Sequence, residues 1–580
     1  MTGWTSHDSG TRTRFGPVAP LRAALARIRM SQAFGLDQSE QSVPPRSMLN
    51  GIPTGSRAAI AAVALAAVPV ASSTPAWEQC SDCHPKAVEQ YLLSGMGRSI
   101  STPNADQPVG VYGHGFSGTT FRTLASAAGL VQEIERGGLS AKYTVDYVIG
   151  SGNAAFGYLV RVGAALFQSP VTYYTERARW GMAPGMEQEA HPDFNRPVTP
   201  ECLWCHAGQP APVPNSVNRY GGPPLELDAI SCDRCHGPVE RHLAEPTAAT
   251  IFNPVSAPPR ERDSVCEQCH LGGAIRILHP RRTFGSFRAG EQLEDSWTVF
   301  VGKPRTAGGQ DRFQVVSHVE QLSLSRCAEE SGDSLWCGTC HNPHENPTEP
   351  KAYFSRRCQQ CHEGGLPPDH VERGADCISC HMPRRQSHDS GHSAFTDHRI
   401  SRHPLPAANP QSPDALRPWQ PGPSDLRVRN LGIANVLYAQ QSGSPEMLKS
   451  GIEQLRSVSG AFRTDPAVLD ALGTALVLSG SPRSGLQTLQ QALEAGPAGA
   501  LQRNSLAAAW WAVGDAARAE SILQEAIRQE PTLESSYRML AQIYRDLGQH
   551  SRVTETWRQF LDTRPRHIQA RQSAQGAGSP

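Results

Sequence analysis

The sequence predicts a mainly α-helical chain in two parts: an N-terminal part with a small β insertion, and a C-terminal α-solenoid. Three observations predict it. A five-residue word, Cys-x-x-Cys-His, occurs seven times, starting at Cys80, Cys202, Cys232, Cys266, Cys337, Cys358 and Cys377. Between the first and second copies lie runs rich in β-branched and aromatic residues, punctuated by Gly. Beyond Ser424 the composition turns to Ala, Leu, Gln and Arg, and a period of 34 residues sets in.

The repeated word is the attachment motif of c-type haem. Its two thiols bond to the vinyl groups of the ring, and the adjacent His becomes an axial ligand of the iron. The expected thioether residues are Cys80, Cys83, Cys202, Cys205, Cys232, Cys235, Cys266, Cys269, Cys337, Cys340, Cys358, Cys361, Cys377 and Cys380. The expected proximal ligands are His84, His206, His236, His270, His341, His362 and His381. The cofactor expected is therefore haem c, seven per chain. Three of the motifs fall between residues 337 and 381, so those haems must lie close together. One Cys-x-x-Cys could be half a zinc site, but seven copies each followed by His exclude chance.

Bulk numbers agree. Lys+Arg and Asp+Glu are both 54, which gives no bias toward nucleic acid. Hydrophobic residues make up only 38 % of the 580, with 52 Gly and 47 Pro. Such a chain needs something besides side chains to fill its core, and haem would do so. Of 15 cysteines only Cys327 stands outside the motifs, so a disulfide framework is not expected.

Covalent haem attachment takes place outside the cytoplasm, so an export signal should precede Cys80. Arg57 is followed by the apolar run 58–71 and then Ser72 and Ser73, the pattern of a signal peptide. The run is shorter than the ~20 residues of a membrane span, with an uncleaved anchor as the alternative. Met48 makes a better start than Met1, because the residues before it are rich in Arg, Ser and Pro. The expected location is the periplasm or another extracytoplasmic space, with membrane association as a second arrangement.

In chain order, residues 1–76 read as leader and signal peptide. Residues 77–403 read as a seven-haem cytochrome domain with its β insertion at about 110–199. A helix is expected at Lys86–Met96, and strands at 121–124, 130–134, 143–149, 158–162 and, less regularly, 171–174. Gly150-Ser-Gly152 lacks the third Gly of a dinucleotide loop and reads as a hairpin turn. Helices around the haems should be short, since ring edges replace side-chain packing. Residues 404–424 read as a Pro-rich linker and 425–570 as the repeat domain.

In the repeats, Gly480, Gly514 and Gly548 share a register, as do Pro497, Pro531 and Pro565. Leu472, Leu506 and Leu540 match, as do Leu489, Leu523 and Trp557; Gly473, Ala507 and Ala541 supply a small residue. Period and placement are the tetratricopeptide signature of paired antiparallel helices. An irregular first unit spans Leu431 to Pro466. Such arrays hold a peptide or partner protein; the plainer alternative is a module that only packs on the cytochrome.

The second axial position of each iron decides between electron transfer and catalysis. Residues 84–403 contain 18 histidines. Eleven are not proximal: His114, His191, His242, His279, His318, His344, His370, His388, His392, His398 and His403. His344 lies three residues after His341 and cannot reach the far face of the same iron; the same holds for His242 after His236.

Several segments carry a resemblance: Tyr147-Val-Ile-Gly-Ser-Gly, His191-Pro-Asp-Phe-Asn-Arg-Pro, Cys235-His-Gly-Pro through His242, Ser317-His-Val-Glu-Gln, Cys340-His-Asn-Pro-His344, and His392-Ser-Ala-Phe-Thr-Asp-His398. Together they resemble the multihaem cytochrome superfamily of the cytochrome c-554 type, and within it the bacterial multihaem cytochromes with a tetratricopeptide tail. Pentahaem nitrite reductase and hydroxylamine oxidoreductase are its catalytic relatives. The resemblance implies distal ligands at His114, His191, His242, His318, His344, His392 and His398, one for each iron. It leaves His279, His370, His388 and His403 as surface or supporting residues.

The function expected is electron transfer through seven haems, with redox proteins as partners and a protein or peptide partner for the repeats. The alternative is an oxidoreductase of small nitrogen or sulfur compounds at one open haem. The nitrite-reducing relatives replace the motif His by Lys at the active haem, and every motif here keeps His. Cys327 sustains the alternative as a thiolate ligand or reactive group, and Met182 and Met186 are further axial candidates. The sequence assigns no catalytic residue.

Overall fold

The computed structural model describes residues 76–127, 129–208, 210–221, 228–302, 317–362, 376–386, 394–402 and 415–575. The export segment, Met48, His370, His388, His392 and His403 lie outside them. Among the described residues no helix is long and apolar enough to cross a membrane.

Helices α1 (Ala76–Ser81) and α2 (Pro85–Leu92) carry the first motif. The helix expected to reach Met96 stops at Leu92, because the chain turns back on itself there. A Cβ at Gly97 would lie 2.1 Å from the Tyr91 carbonyl oxygen.

The β insertion consists of two antiparallel sheets. Strand β1 (Ile100–Ser101) belongs to one, and β2 (Gly110–His114), β3 (Thr119–Ser126), β4 (Gly129–Arg136) and β5 (Leu139–Thr144) form the other as a meander. β6 (Tyr147–Ile149), β7 (Ala155–Val162), β8 (Ala165–Gln168), β9 (Val171–Tyr174), β10 (Arg179–Met182) and β11 (Arg196–Pro197) join β1. The period-2 alternation turns Phe121, Ile134, Ala141 and Tyr143 inward, against Val160, Phe167 and Phe194. The run 143–149, expected as one strand, is two. The Val145 N–H donates to Leu130 O and the Asp146 N–H to Leu159 O, both at 2.9 Å, so consecutive residues bond to different sheets. Gly150 and Gly152, at φ +97° and +82°, make the β6–β7 hairpin turn as expected.

The segments that follow carry short helices: α3 (Pro200–His206), α4 (Asp233–His236), α5 (Glu240–Ala244) and α6 (Pro259–His270), then α7 (His318–Ser323), α8 (Arg326–Ser331), α9 (Cys337–Cys340), α10 (Pro350–Gln359) and α11 (Cys377–His381). Unforeseen strands accompany them. β12 (Ile275–Leu278) and β13 (Trp297–Gly302) pair, β14 (Arg384–Gln386) pairs with β15 (Ala394–Thr396), and β16 (Leu416–Pro418) pairs with β13. The stretch expected to be linker up to residue 424 therefore supplies an edge strand, the position in a sheet that tolerates Pro418.

The C-terminal part is a stack of helical hairpins: α12 (Arg427–Ser442) with α13 (Pro445–Ser457), α14 (Pro466–Leu478) with α15 (Pro482–Ala495), α16 (Ala500–Ala512) with α17 (Ala516–Gln529), and α18 (Glu534–Asp546) with α19 (His550–Thr563), closed by α20 (Ile568–Ala574). The 34-residue register has a steric cause. A Cβ at Gly473 would lie 2.6 Å from Leu489 Cγ, so the small residue lets paired helices touch. Gly480, Gly514 and Gly548 take positive φ of +91°, +94° and +70° where the chain reverses between helices.

The array packs on the rest of the chain along its length. Ile433, Val436 and Val468 share a core with Ile275, Ile277, Phe300 and Leu416. Ala500, Ala526 and Leu533 pack with Val217, and Ile568 completes the core of Phe121 and Ile134. Arg429 and Asp465, both buried, pair at 2.8 Å, and Asn430 donates to Thr298 Oγ1 at 3.0 Å.

Candidate cofactor cavity

Each motif folds as one helical turn. The His N–H donates to the first Cys carbonyl at 2.8 Å in His84–Cys80, 2.9 Å in His236–Cys232, 2.9 Å in His341–Cys337 and 3.1 Å in His362–Cys358. Residues three and four apart on a helix share a face. The two thiols and the imidazole of one motif are thereby presented together.

They are presented to a cavity. It has a volume of about 3330 Å³, and both Cys and the His of each of the first five motifs line it, with Cys358 of the sixth. A pocket for one ligand holds about 300–1,000 Å³, and protein interiors are otherwise packed like organic crystals. The cavity thus exceeds a single-ligand pocket several-fold.

Across this space the histidines stand in pairs. His84 faces His242 with ring centroids 6.4 Å apart and planes 17° from parallel. His236 faces His344 at 5.9 Å and 10°, and His341 faces His398 at 6.2 Å and 26°. His270 lies 5.6 Å from His318 with the planes at 79°, and His318 also meets His398 edge-on at 4.8 Å. A metal–imidazole bond is about 2 Å and the ligating nitrogen sits about 1.1 Å from its ring centroid, so two imidazoles on opposite sides of one metal stand about 6 Å apart. The four pairs have that spacing.

Second contacts fix the rings. The Nδ1 of His236 lies 3.0 Å from Phe252 O, that of His398 3.0 Å from Thr396 O, that of His242 3.2 Å from Thr247 O, and that of His381 2.8 Å from Ser401 O. A carbonyl can only accept, so Nδ1 carries the hydrogen and Nε2 keeps its lone pair, the usual support of a metal-binding His. Burial, then the neighbouring rings of His398, His270 and His341, push His318 down to about 3. Burial pushes His341 down to about 4 and lowers His206, His270, His344 and His398. Neutral imidazole is the ligating form.

The thiols order the motifs in space. Cys80 meets Cys232, Cys205 meets Cys269, Cys266 meets Cys337, and Cys358 meets Cys377. Cys235 acts electrostatically on Cys266, and Cys340 on Cys358. The motifs therefore run one, three, four, five, six, seven, with the second branching from the fourth. None of the fifteen cysteines is joined to another by a disulfide. Among the described residues no three His, Cys, Asp or Glu side chains converge as a zinc site requires.

Other expected residues stand apart. His114 is not brought to the cavity: it is buried on β2, with Nδ1 2.8 Å from Ser117 Oγ and Nε2 3.1 Å from Glu187 O, so both nitrogens are engaged within the β insertion. His279, assigned to the surface or a supporting role, is buried with Nε2 3.0 Å from Thr298 Oγ1. Met182 and Met186 both lie in the β core, and Met186 also lines the cavity. Cys361, Cys380 and His362 are exposed at one end of the motif series. Cys327 is half-buried, and burial pushes its thiol up. His191 lines the cavity, and His206 has no imidazole facing it among the described residues at the separation of the four pairs. His392 lies outside those residues.

Sequence reasoning missed the cavity's other polar groups. Tyr91 donates to Ile230 O at 2.7 Å and sits edge-on to His344. Arg234 stacks 3.1 Å from the Trp204 ring centroid. Arg276 pairs with Glu201 at 3.3 Å, and burial raises the Glu201 carboxyl to about 7. No local pattern marks these residues, because their partners are remote in sequence.

No family model matches the chain, and no curated protein matches it. Among solved structures, a crystal structure of MamA aligns at 20 % identity over 26 % of this chain and 79 % of that one, with a TM-score of 0.22. The Cut9–Hcn1 hetero-tetramer of APC/C aligns at 15 % identity over 25 % of this chain and 30 % of that one, also with a TM-score of 0.22. The 34-residue register and the stacked hairpins described above make the C-terminal part a tetratricopeptide-like helical-repeat array.

Proposed function

We propose that this chain is an extracytoplasmic multihaem c-type cytochrome that moves electrons through seven covalently attached haems. The observation that carries the reading is the set of four imidazole pairs, each about 6 Å across, in a cavity lined by Cys-x-x-Cys-His turns. Haem supplies one-electron chemistry when bound. The chain's own part is to fix the ring-bearing thiols, hold paired imidazoles as neutral ligands, and set the order of the sites. His242, His344, His398 and His318 serve the first, third, fifth and fourth motifs respectively. Met occupies none of these four positions, which favours low potentials. Electrons enter or leave at the exposed first and sixth–seventh ends, where Cys83, His84, Cys361 and Cys380 reach the surface and a redox protein docks.

The test is stoichiometry: exported protein, denatured, should retain seven haems per chain by the pyridine haemochrome assay. A chain that carries zinc, or no covalent haem, overturns the reading.

The second reading is an oxidoreductase of small nitrogen or sulfur compounds at one open haem. Electron paramagnetic resonance separates the two readings. A high-spin ferric signal that shifts on adding nitrite, hydroxylamine or sulfite rules out a pure carrier, and an all-low-spin spectrum rules out the open site.

A further inference from the structure

The cavity is not lined by the N-terminal part alone. Leu533, Glu534, Ser535, Arg538, Met539 and Gln542 also line it, and all lie at or on α18 of the repeat array. Positions 534, 535, 538, 539 and 542 make one face of a helix. The opposite face packs inside the array through Tyr537, Leu540 and Tyr544.

This face stands beside the segment that leads into the second motif. Asn195, in the segment that leads into α3, donates to Glu534 Oε2 at 3.0 Å. Glu534 in turn pairs with Arg538 at 2.5 Å. The same segment is clamped from the array's end: Arg564 donates to Phe194 O, and the Ile568 N–H donates to Asp193 Oδ2 at 2.9 Å. The Glu534 carboxyl is buried and held well below its usual range by Arg538 and His567 against the cost of burial. Glu534 thus has Arg538 and His567 beside it, and Arg538 itself also lines the cavity.

We propose that α18 is a cofactor-binding element, with Arg538 holding the acidic side chains of the haem attached at Cys202 and Cys205. This rests on the cytochrome reading above. A haem brings two carboxylates to its site, and enclosed carboxylates need a charged donor. The guanidinium fork matches them better than a point charge does. The other cations beside the second motif are already engaged: Arg196 donates to Pro184 O at 2.8 Å and Gln168 Oε1 at 3.2 Å, and Arg276 to Leu271 O at 2.6 Å and Glu201 Oε1 at 3.3 Å. The repeat array is then part of the electron-carrying unit as well as an appendage for partners.

The experiment is a spectroelectrochemical titration of full-length, haem-loaded Arg538→Gln, beside Arg538→Lys and the exposed array control Arg558→Gln. Removing a cation next to an iron favours its ferric state. Arg538→Gln should therefore keep seven covalent haems and move one couple to lower potential. Arg538→Lys should restore most of the shift, and Arg558→Gln should match wild type. Seven haems with every couple unmoved in Arg538→Gln overturns this proposal and leaves the cytochrome reading intact; loss of the covalent haem count in wild type overturns both.

Discussion

The imidazoles of His236 and His344 lie 5.9 Å apart and 10° from parallel, although one belongs to the third motif and the other follows the fifth. Two segments that share no secondary structure are thus brought to the two sides of one gap. Replacing His344 by Ala should leave the covalent haem count unchanged and convert one low-spin iron to high spin, read by optical and electron paramagnetic resonance spectra. If the spectrum stays fully low-spin, the third motif has another partner.

Gly473 tests the array by packing alone. A Cβ there would meet Leu489 Cγ at 2.6 Å and Gly485 O at 3.0 Å. Overpacking of a tight core costs about 1–3 kcal/mol, so Gly473→Ala should lower the thermal midpoint of the repeats while the haem count stays the same. An unchanged midpoint would mean that the paired helices separate freely.

Arg429 and Asp465 form a buried pair that fastens the first hairpin to β12 through Leu278 O. Asp465 also caps α14, accepting from the Ala467 N–H at 2.8 Å. Breaking one partner of such a pair costs about 3–5 kcal/mol. Asp465→Ala should cause that loss in denaturant titration and speed proteolysis between residues 415 and 430.

Glu530 gives stability a pH slope. Burial, opposed by Arg219, raises its carboxyl from the usual range to about 7. The folded state therefore keeps a proton that the unfolded state gives up. The contribution is present below the unfolded pKa and is lost as pH rises toward 7. With about 1.4 kcal/mol per unit, it amounts to on the order of 1–3 kcal/mol. Glu530→Gln should stabilise the protein more at pH 8 than at pH 5; equal effects at both would place the titration elsewhere.

What the sequence disclosed was whatever local chemistry repeats. The attachment turns, the 34-residue register and the alternation of β3 and β4 are each written within a few dozen residues. The imidazoles that face His236, His341 and His270 are not, because a side chain from another segment leaves no spacing signal. His114 is the opposite case. Resemblance proposed it as a ligand, but Ser117 and Glu187 engage both of its nitrogens on the β insertion. The strand at Leu416–Pro418 was hidden by its Pro content, which an edge position accommodates. The break at Val145–Asp146 was hidden by unbroken β propensity, since which sheet an N–H joins is settled by neighbours far along the chain.

Ile568 seals a core begun by Phe121 and Ile134, and this sets a timetable for assembly. A growing chain exposes its seventh motif at residue 381 long before residue 568 exists. Until then the first sheets lack their closing contact and α18 has yet to be made. The thiols that line the chamber are thus made before its last wall. A chain truncated before α18 would expose the same eleven cavity thiols in a vessel with one wall missing.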